Sequence, residues 1–380
     1  MAHKSKRRAP VNRPVPFHGD QTPAIRGRQA GREYYISMWT MRKVVETFYF
    51  NDDDDELRPE LRAQRTLNAN RIPEMAQYIV DNPKDYIFSA ITASINVEVE
   101  FEPYELDPLG RVGQLKIPEG AKFIINDGQH RRAAMERAID ENPDFKKEHI
   151  AVVLFLDRGL KRCQQMFADL NRNAIRPAKS LGVLYDHRDP WAMITRTAIL
   201  GSDLFRNMIE LERSALSSRS RKLFTLSGIH GGTKALLQHV DNPEASIEEL
   251  ATLARSFWET VATHFPEWQK VRENKMQSGE VREHFIHSHG ITLQALGRVG
   301  SALIQKYKGD RWKQPLRKLE TIDWSRDNAK VWEGRAIVGG KVSKAYNQVT
   351  LTTNVIKQHL GLALTPVEQR IEGLHLRGDK

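Results

Sequence analysis

Asp127-Gly128-Gln129-His130-Arg131 puts a carboxylate, a glycine, an imidazole and a guanidinium into one short stretch. The apolar run Phe123-Ile124-Ile125 precedes it, and a helix-favouring segment from Gln129 to Asn142 follows. The pattern reads as strand, tight glycine turn, helix. Such a turn aims unpaired backbone N–H groups outward at a helix N-terminus, where the partial positive charge suits a phosphate. Gly128 lets an anion approach the backbone closely. Arg131 and Arg132 can clamp phosphate oxygens, and His130 can donate a hydrogen bond or shuttle a proton. Asp127 suits a helix cap, or a magnesium ion held through phosphate oxygens. An ordinary helix start with surface arginines fits the same residues, and spacing alone does not separate the two.

A second group is built for phosphate backbones. Arg213, Arg219, Arg221 and Lys222 alternate with Ser214, Ser217, Ser218 and Ser220, and arginines with hydroxyls suit sugar-phosphate contacts. A solvated loop is the alternative. Leu223-Phe224-Thr225-Leu226 would anchor this segment, and the LSGIHGGTKALL stretch could be a turn between helices of a DNA reader, although turn-containing helix pairs are common in every kind of protein. A third group lies at the N-terminus. Residues 1–32 hold Lys4, Lys6, Arg7, Arg8, Arg13, Arg26, Arg28 and Arg32 against Asp20 alone, a large part of the net charge of +10. This basic, apolar-poor tail is expected to stay flexible and to neutralise nucleic-acid phosphates.

Other reactive residues point to packing. His284, His287 and His289 lack a cysteine or acid at zinc-like spacing, so no metal site is expected. Cys163 has Arg158, Lys161 and Arg162 nearby to lower its pKa, but a small apolar packing role is preferred. Trp258, Trp268, Trp312, Trp324 and Trp332 read as core anchors, and Asp52 to Glu56 as a solvated turn.

The elements that must position these groups follow from periodicity. Folding is expected to start near Glu33, and Met38, Met41, Val44, Val45 and Phe48 recur at helical spacing, which predicts an amphipathic helix there. Residues 71–81 read as a helix with Pro73 in its first turn. Tyr86 to Val99, Leu115 to Ile117 and Phe123 to Ile125 read as strands, and Ile150 to Leu156 as a buried strand. Leu160 to Leu170 reads as helix. Beyond about residue 190 helical patterns dominate. The expected fold class is α+β: a mixed α/β domain over 33–190, then a mostly helical domain over 191–380.

Composition agrees. Of 380 residues, 40% are hydrophobic and 28% charged, enough for a core in a soluble chain. No run of 18 apolar residues suggests a membrane helix, and no apolar leader precedes the basic start. With Cys163 as the single cysteine, no internal disulfide can form, and a cytoplasmic location is expected.

Several stretches in order resemble the DndB family of DGQHR-domain proteins, which serve DNA phosphorothioate modification. They are RAQRTLNANRIPEMAQYI from Arg62, YIFSAITASI from Tyr86, the DGQHR string, FADLNRNAIRPAKSLGVLYDHRDP from Phe167, and SRSRKLFTLS from Ser218. The likeness covers roughly residues 33–360. The first half also resembles ParB and sulfiredoxin, whose corresponding boxes converge on nucleotide phosphates. By that resemblance the phosphate ligands are Arg62, Arg65, Asp127, Gly128, Gln129, His130, Arg131, Asn171 and Arg172, and the nucleotide would be ATP or CTP with Mg2+. Gln129 stands where sulfiredoxin has its reactive cysteine, so sulfinic acid reduction is not expected. ParB has a glutamate there, so CTP preference does not carry over.

The family resemblance implies a DNA-binding repressor of a phosphorothioation operon, with the operon promoter as partner and no sulfur-inserting activity. Lys4, Lys6, Arg7, Arg8, Arg213, Arg219, Arg221 and Lys222 would contact DNA. The rival is a ParB-like Mg-dependent NTPase or a nuclease, with Asp127 and His130 as catalytic groups. A homo-oligomer suits a repressor, although no coiled-coil seam marks one.

Overall fold

A computed structural model describes residues 17–49, 69–156, 164–166, 168–170, 177–240 and 244–378. The chain divides into two compact units, Met1–Ile175 and Arg176–Lys380.

The N-terminal unit is mixed α/β. Its strands are β1 (Gly19–Gln29), β2 (Arg32–Thr40), β3 (Phe48–Tyr49), β4 (Ile91–Ile95), β5 (Glu100–Pro103), β6 (Val112–Pro118), β7 (Phe123–Asp127) and β8 (His149–Leu156). They form one mixed sheet in the order β3-β7-β4-β8-β2-β1-β6-β5. β4 runs parallel to β8 and antiparallel to β7, while β2 runs antiparallel to β8. Helices α1 (Met41–Thr47), α2 (Ile72–Asp81) and α3 (Gln129–Glu141) complete the unit, and α3 packs against both α1 and α2. Ile79 of α2, Ile91 and Ala93 of β4, Ile125 of β7, Met135 of α3 and Val152 of β8 share one core. Trp39, Phe48 and Phe123 close one end of it, with Phe48 stacked on Phe123 at 4.7 Å between ring centres.

Two expectations change here. The basic segment is not a tail as far as residue 32, because β1 pairs with β2 on one edge and β6 on the other. Arg26 is built into that hairpin: it donates to the Gly110 carbonyl at 2.9 Å and lies over the Phe101 ring. Lys4, Lys6, Arg7 and Arg8 lie outside the described residues. The helix expected over Met38 to Phe48 begins only after Thr40, because β2 runs as far as that residue. Tyr35, Ser37 and Trp39 point into the core while Ile36 and Met38 are exposed, an alternation of two. Only Met41–Thr47 is helical, started by Thr40, whose side chain accepts from the Lys43 amide.

The C-terminal unit is helical: α4 (Lys179–Tyr185), α5 (Pro190–Leu200), α6 (Leu226–Leu237), α7 (Ile247–Thr263), α8 (Pro266–Arg272), α9 (Ser278–His284), α10 (Gly290–Lys306), α11 (Ala329–Trp332), α12 (Tyr346–His359) and α13 (Pro366–Gly378). The division falls at 175/176 rather than at 190/191, because Val183 of α4 joins this unit's core and Ser180 donates to the Arg213 carbonyl. The five tryptophans named above are all buried. The LSGIHGGTKALL stretch is one helix, not a turn between two. Its glycines make a seam with α10, where a methyl group on Gly297 would lie 2.1 Å from the Gly232 carbonyl oxygen. No helix among the described residues is long and apolar enough to cross a membrane.

Candidate functional site

The DGQHR turn sits where β7 leaves the sheet between β3 and β4. Gly128 adopts φ +111°, a conformation open to glycine, and α3 begins at the next residue. A side chain there would press on Ile91 and on the Arg131 guanidinium, each 3.0 Å away. No side chain caps α3, and no acidic residue stands in its first turn. Asp127 does not cap the helix; its carboxylate accepts from Arg131 Nη2 at 2.8 Å. The same nitrogen also donates to the Ala90 carbonyl at 3.1 Å.

Arg131 is mostly enclosed while Asp127 is half exposed. Arg131 Nε and Gln129 Nε2 have no hydrogen-bond partner among the described residues, although Gln129 is only 6% exposed. Arg132 has turned away from the turn to the Val45 carbonyl of α1 and to Glu136, so it ties α3 to α1. His130 is partly buried and already engaged. Beneath the turn, Asn126 is fully buried and donates to the Ser94 hydroxyl at 2.7 Å. Arg62, Arg65, Cys163, Asn171 and Arg172 lie outside the described residues.

In the C-terminal unit, Arg213, Arg219 and Arg221 are exposed, and Lys222 is half buried with its amine on the Asn207 carbonyl. The backbone between them is gathered from inside. Arg282, on α9, donates to the carbonyls of Ser217 (2.7 Å), Ser218 (3.4 Å), Ser220 (3.2 Å) and Lys222. Ser278 Oγ donates to the Arg221 carbonyl at 2.7 Å. One guanidinium thus holds the loop, and the exposed arginines can meet an anionic surface without that loop first having to order. Sequence reasoning missed Arg282, because no local spacing links a residue on α9 to carbonyls some sixty positions earlier.

His287 and His289 behave as packing residues, while His284 is exposed. His287 is fully buried, accepts at Nδ1 from Trp268 Nε1 at 2.9 Å, and faces Glu267 Oε2 at 3.3 Å. Burial holds it below the usual histidine range, with Glu267 opposing that shift. His289 Nε2 meets the Arg282 carbonyl at 2.9 Å, and burial lowers its pKa too. No group of three or more metal-ligating side chains occurs among the described residues.

Neither the curated proteins nor the solved structures gave a match to the chain. A family model does: that of the DNA-sulfur modification-associated DndB proteins, over residues 22–363. This span takes in the DGQHR turn, the Arg213–Lys222 loop and most of both units, and the chain therefore belongs to the DndB family of DNA-sulfur modification-associated proteins.

Proposed function

We propose that the protein is a DNA-binding transcriptional repressor of a DNA phosphorothioate modification system, working in the cytoplasm. Within a family tied to DNA sulfur modification, the observation that carries this reading is the Arg282-held loop with Arg213, Arg219 and Arg221 exposed. Guanidinium groups on a preformed backbone supply phosphate contacts and release counterions on binding.

The DGQHR turn is, in this reading, a second phosphate site of the ParB and sulfiredoxin kind, taking ATP or CTP with Mg2+. It is supported by the uncapped N-terminus of α3, by Gly128, and by donors on Gln129 and Arg131 that have no partner among the described residues. The chain's own Asp127 carboxylate occupies Arg131, and an incoming phosphate would take its place. Such an exchange links ligand binding to the β7–α3 turn. Gln129 offers no nucleophile, so the turn binds and reports rather than inserting sulfur.

The test compares a promoter next to the protein's own operon with random DNA of equal length, by footprinting across a salt series. The expected result is a protected promoter site with an affinity about a thousandfold or more above random DNA. Equal affinities with equal salt slopes for both DNAs would defeat the repressor reading.

A further inference from the structure

A cleft of about 900 Å3 opens in the C-terminal unit, walled by Ser214 and Ser218 of the basic loop and by the first turns of α6 and α10. Lys179, Arg282, Arg326 and Lys344 line it, against Glu283 as the one carboxylate. The two arginines are engaged by backbone carbonyls, which leave their charge uncompensated. Neither lysine amine has an ion pair or a hydrogen bond among the described residues.

The two helix starts touch: a methyl group on Gly228 would lie 3.8 Å from the Gly290 α-carbon. Lys344 Nζ lies beside the start of α10, 3.5 Å from a methyl placed on Gly290, and beside the second turn of α6, 3.4 Å from one on Gly231. Although Lys344 is exposed as a residue, its amine is hemmed in by the cleft wall. That desolvation, with the charge of Lys179, holds its pKa below the usual lysine range.

A cation beside the N-terminus of α10 is a like-charge arrangement, since a helix N-terminus carries about half a positive charge. α10 does nothing to relieve it. It has no side-chain cap and no acid in its first turn, and the ring of His289 at its N-cap is turned to the Arg282 carbonyl. An independent observation stands beside these charges. Ser288 lines the same cleft, is only 4% exposed, and its hydroxyl has no hydrogen-bond partner among the described residues. Buried hydroxyls are ordinarily satisfied, so this one calls for an acceptor.

We propose that the cleft is a phosphoryl-binding site, in which an oxyanion accepts hydrogen bonds from the Ser288 hydroxyl, the first amides of α10 and the Lys344 ammonium. The ligand chemistry is a phosphate ester, whether carried by a free nucleotide or by a nucleic-acid backbone. The site stands apart from the promoter-binding reading: either can fail while the other holds.

The test is thermal unfolding of the full chain at constant ionic strength, with inorganic phosphate replacing chloride, for wild type, Lys344→Met and Ser288→Ala. Phosphate is expected to raise the melting temperature of the wild type in a saturable way, with an apparent affinity roughly tenfold weaker in each variant. Should Lys344→Met fail to fold, Ser288→Ala carries the comparison. No stabilisation of the wild type, or equal stabilisation of all three proteins, overturns the proposal. Adenosine monophosphate and a short random duplex then identify the source. Whichever binds more weakly to the variants than to the wild type is the ligand that enters the cleft, and if neither does the site is refuted.

Discussion

His287 shows how a single side chain acquires a role that its residue type does not announce. Its spacing from His284 and His289 invites a metal reading, yet the ring is sealed among Phe265, Trp268, Phe285 and Trp324. Burial outweighs the Glu267 carboxylate and holds the imidazole below the usual histidine range. His230 and His289 are lowered for the same first reason. Unfolding returns each ring to an ordinary pKa of about 6.5, so below that pH the unfolded chain binds more protons than the folded one. This stability is therefore complete above about pH 6.5 and declines on acidification, by up to about 1.4 kcal/mol per pH unit for each ring. In His287→Gln, which keeps an acceptor for Trp268, the fall in stability seen by urea unfolding between pH 7.5 and 5 should be less steep, by at most about one proton at the acid end. A slope equal to that of the wild type would mean that His287 takes up its proton without unfolding.

At the scale of elements, the parts that local pattern governs were readable. The strand–glycine–helix unit at Phe123–Glu141, the helix at Ile72–Asp81 and the strand at His149–Leu156 follow directly from apolar runs and turn residues. The end of β2 was read into the helix because polar Ser37 faces inward while apolar Ile36 and Met38 face outward, which hides a period of two. The glycines of α6 were misread for a different reason. Their meaning lies in α10, far along the chain, whose Gly297 packs against the Gly232 carbonyl. Gly297→Ala forces that seam apart, and overpacking of this kind costs about 1–3 kcal/mol. The urea midpoint of the variant should fall accordingly; an unchanged midpoint would show that α6 and α10 are not tightly seated.

For the whole molecule, two units were foreseeable from the shift of mixed pattern to helices, but their boundary was not. α4 belongs to the C-terminal unit through Val183 and Ser180, whose packing and hydrogen bonding no composition shift marks. The candidate site was legible only in part. The exposed arginines announce themselves by type, whereas Arg282, Ser288 and Lys344 matter through positions that only folding brings together. The central claim is that the Arg282-held loop meets DNA phosphates. The direct measurement is the salt dependence of duplex binding by the wild type and by Arg219→Ala/Arg221→Ala, whose loop backbone keeps its hold on Arg282. The account predicts weaker binding to promoter and random DNA alike, with the slope of log affinity against log salt reduced by about 0.9 for each phosphate that the variant no longer neutralises. An unchanged slope and affinity in the double variant would contradict it.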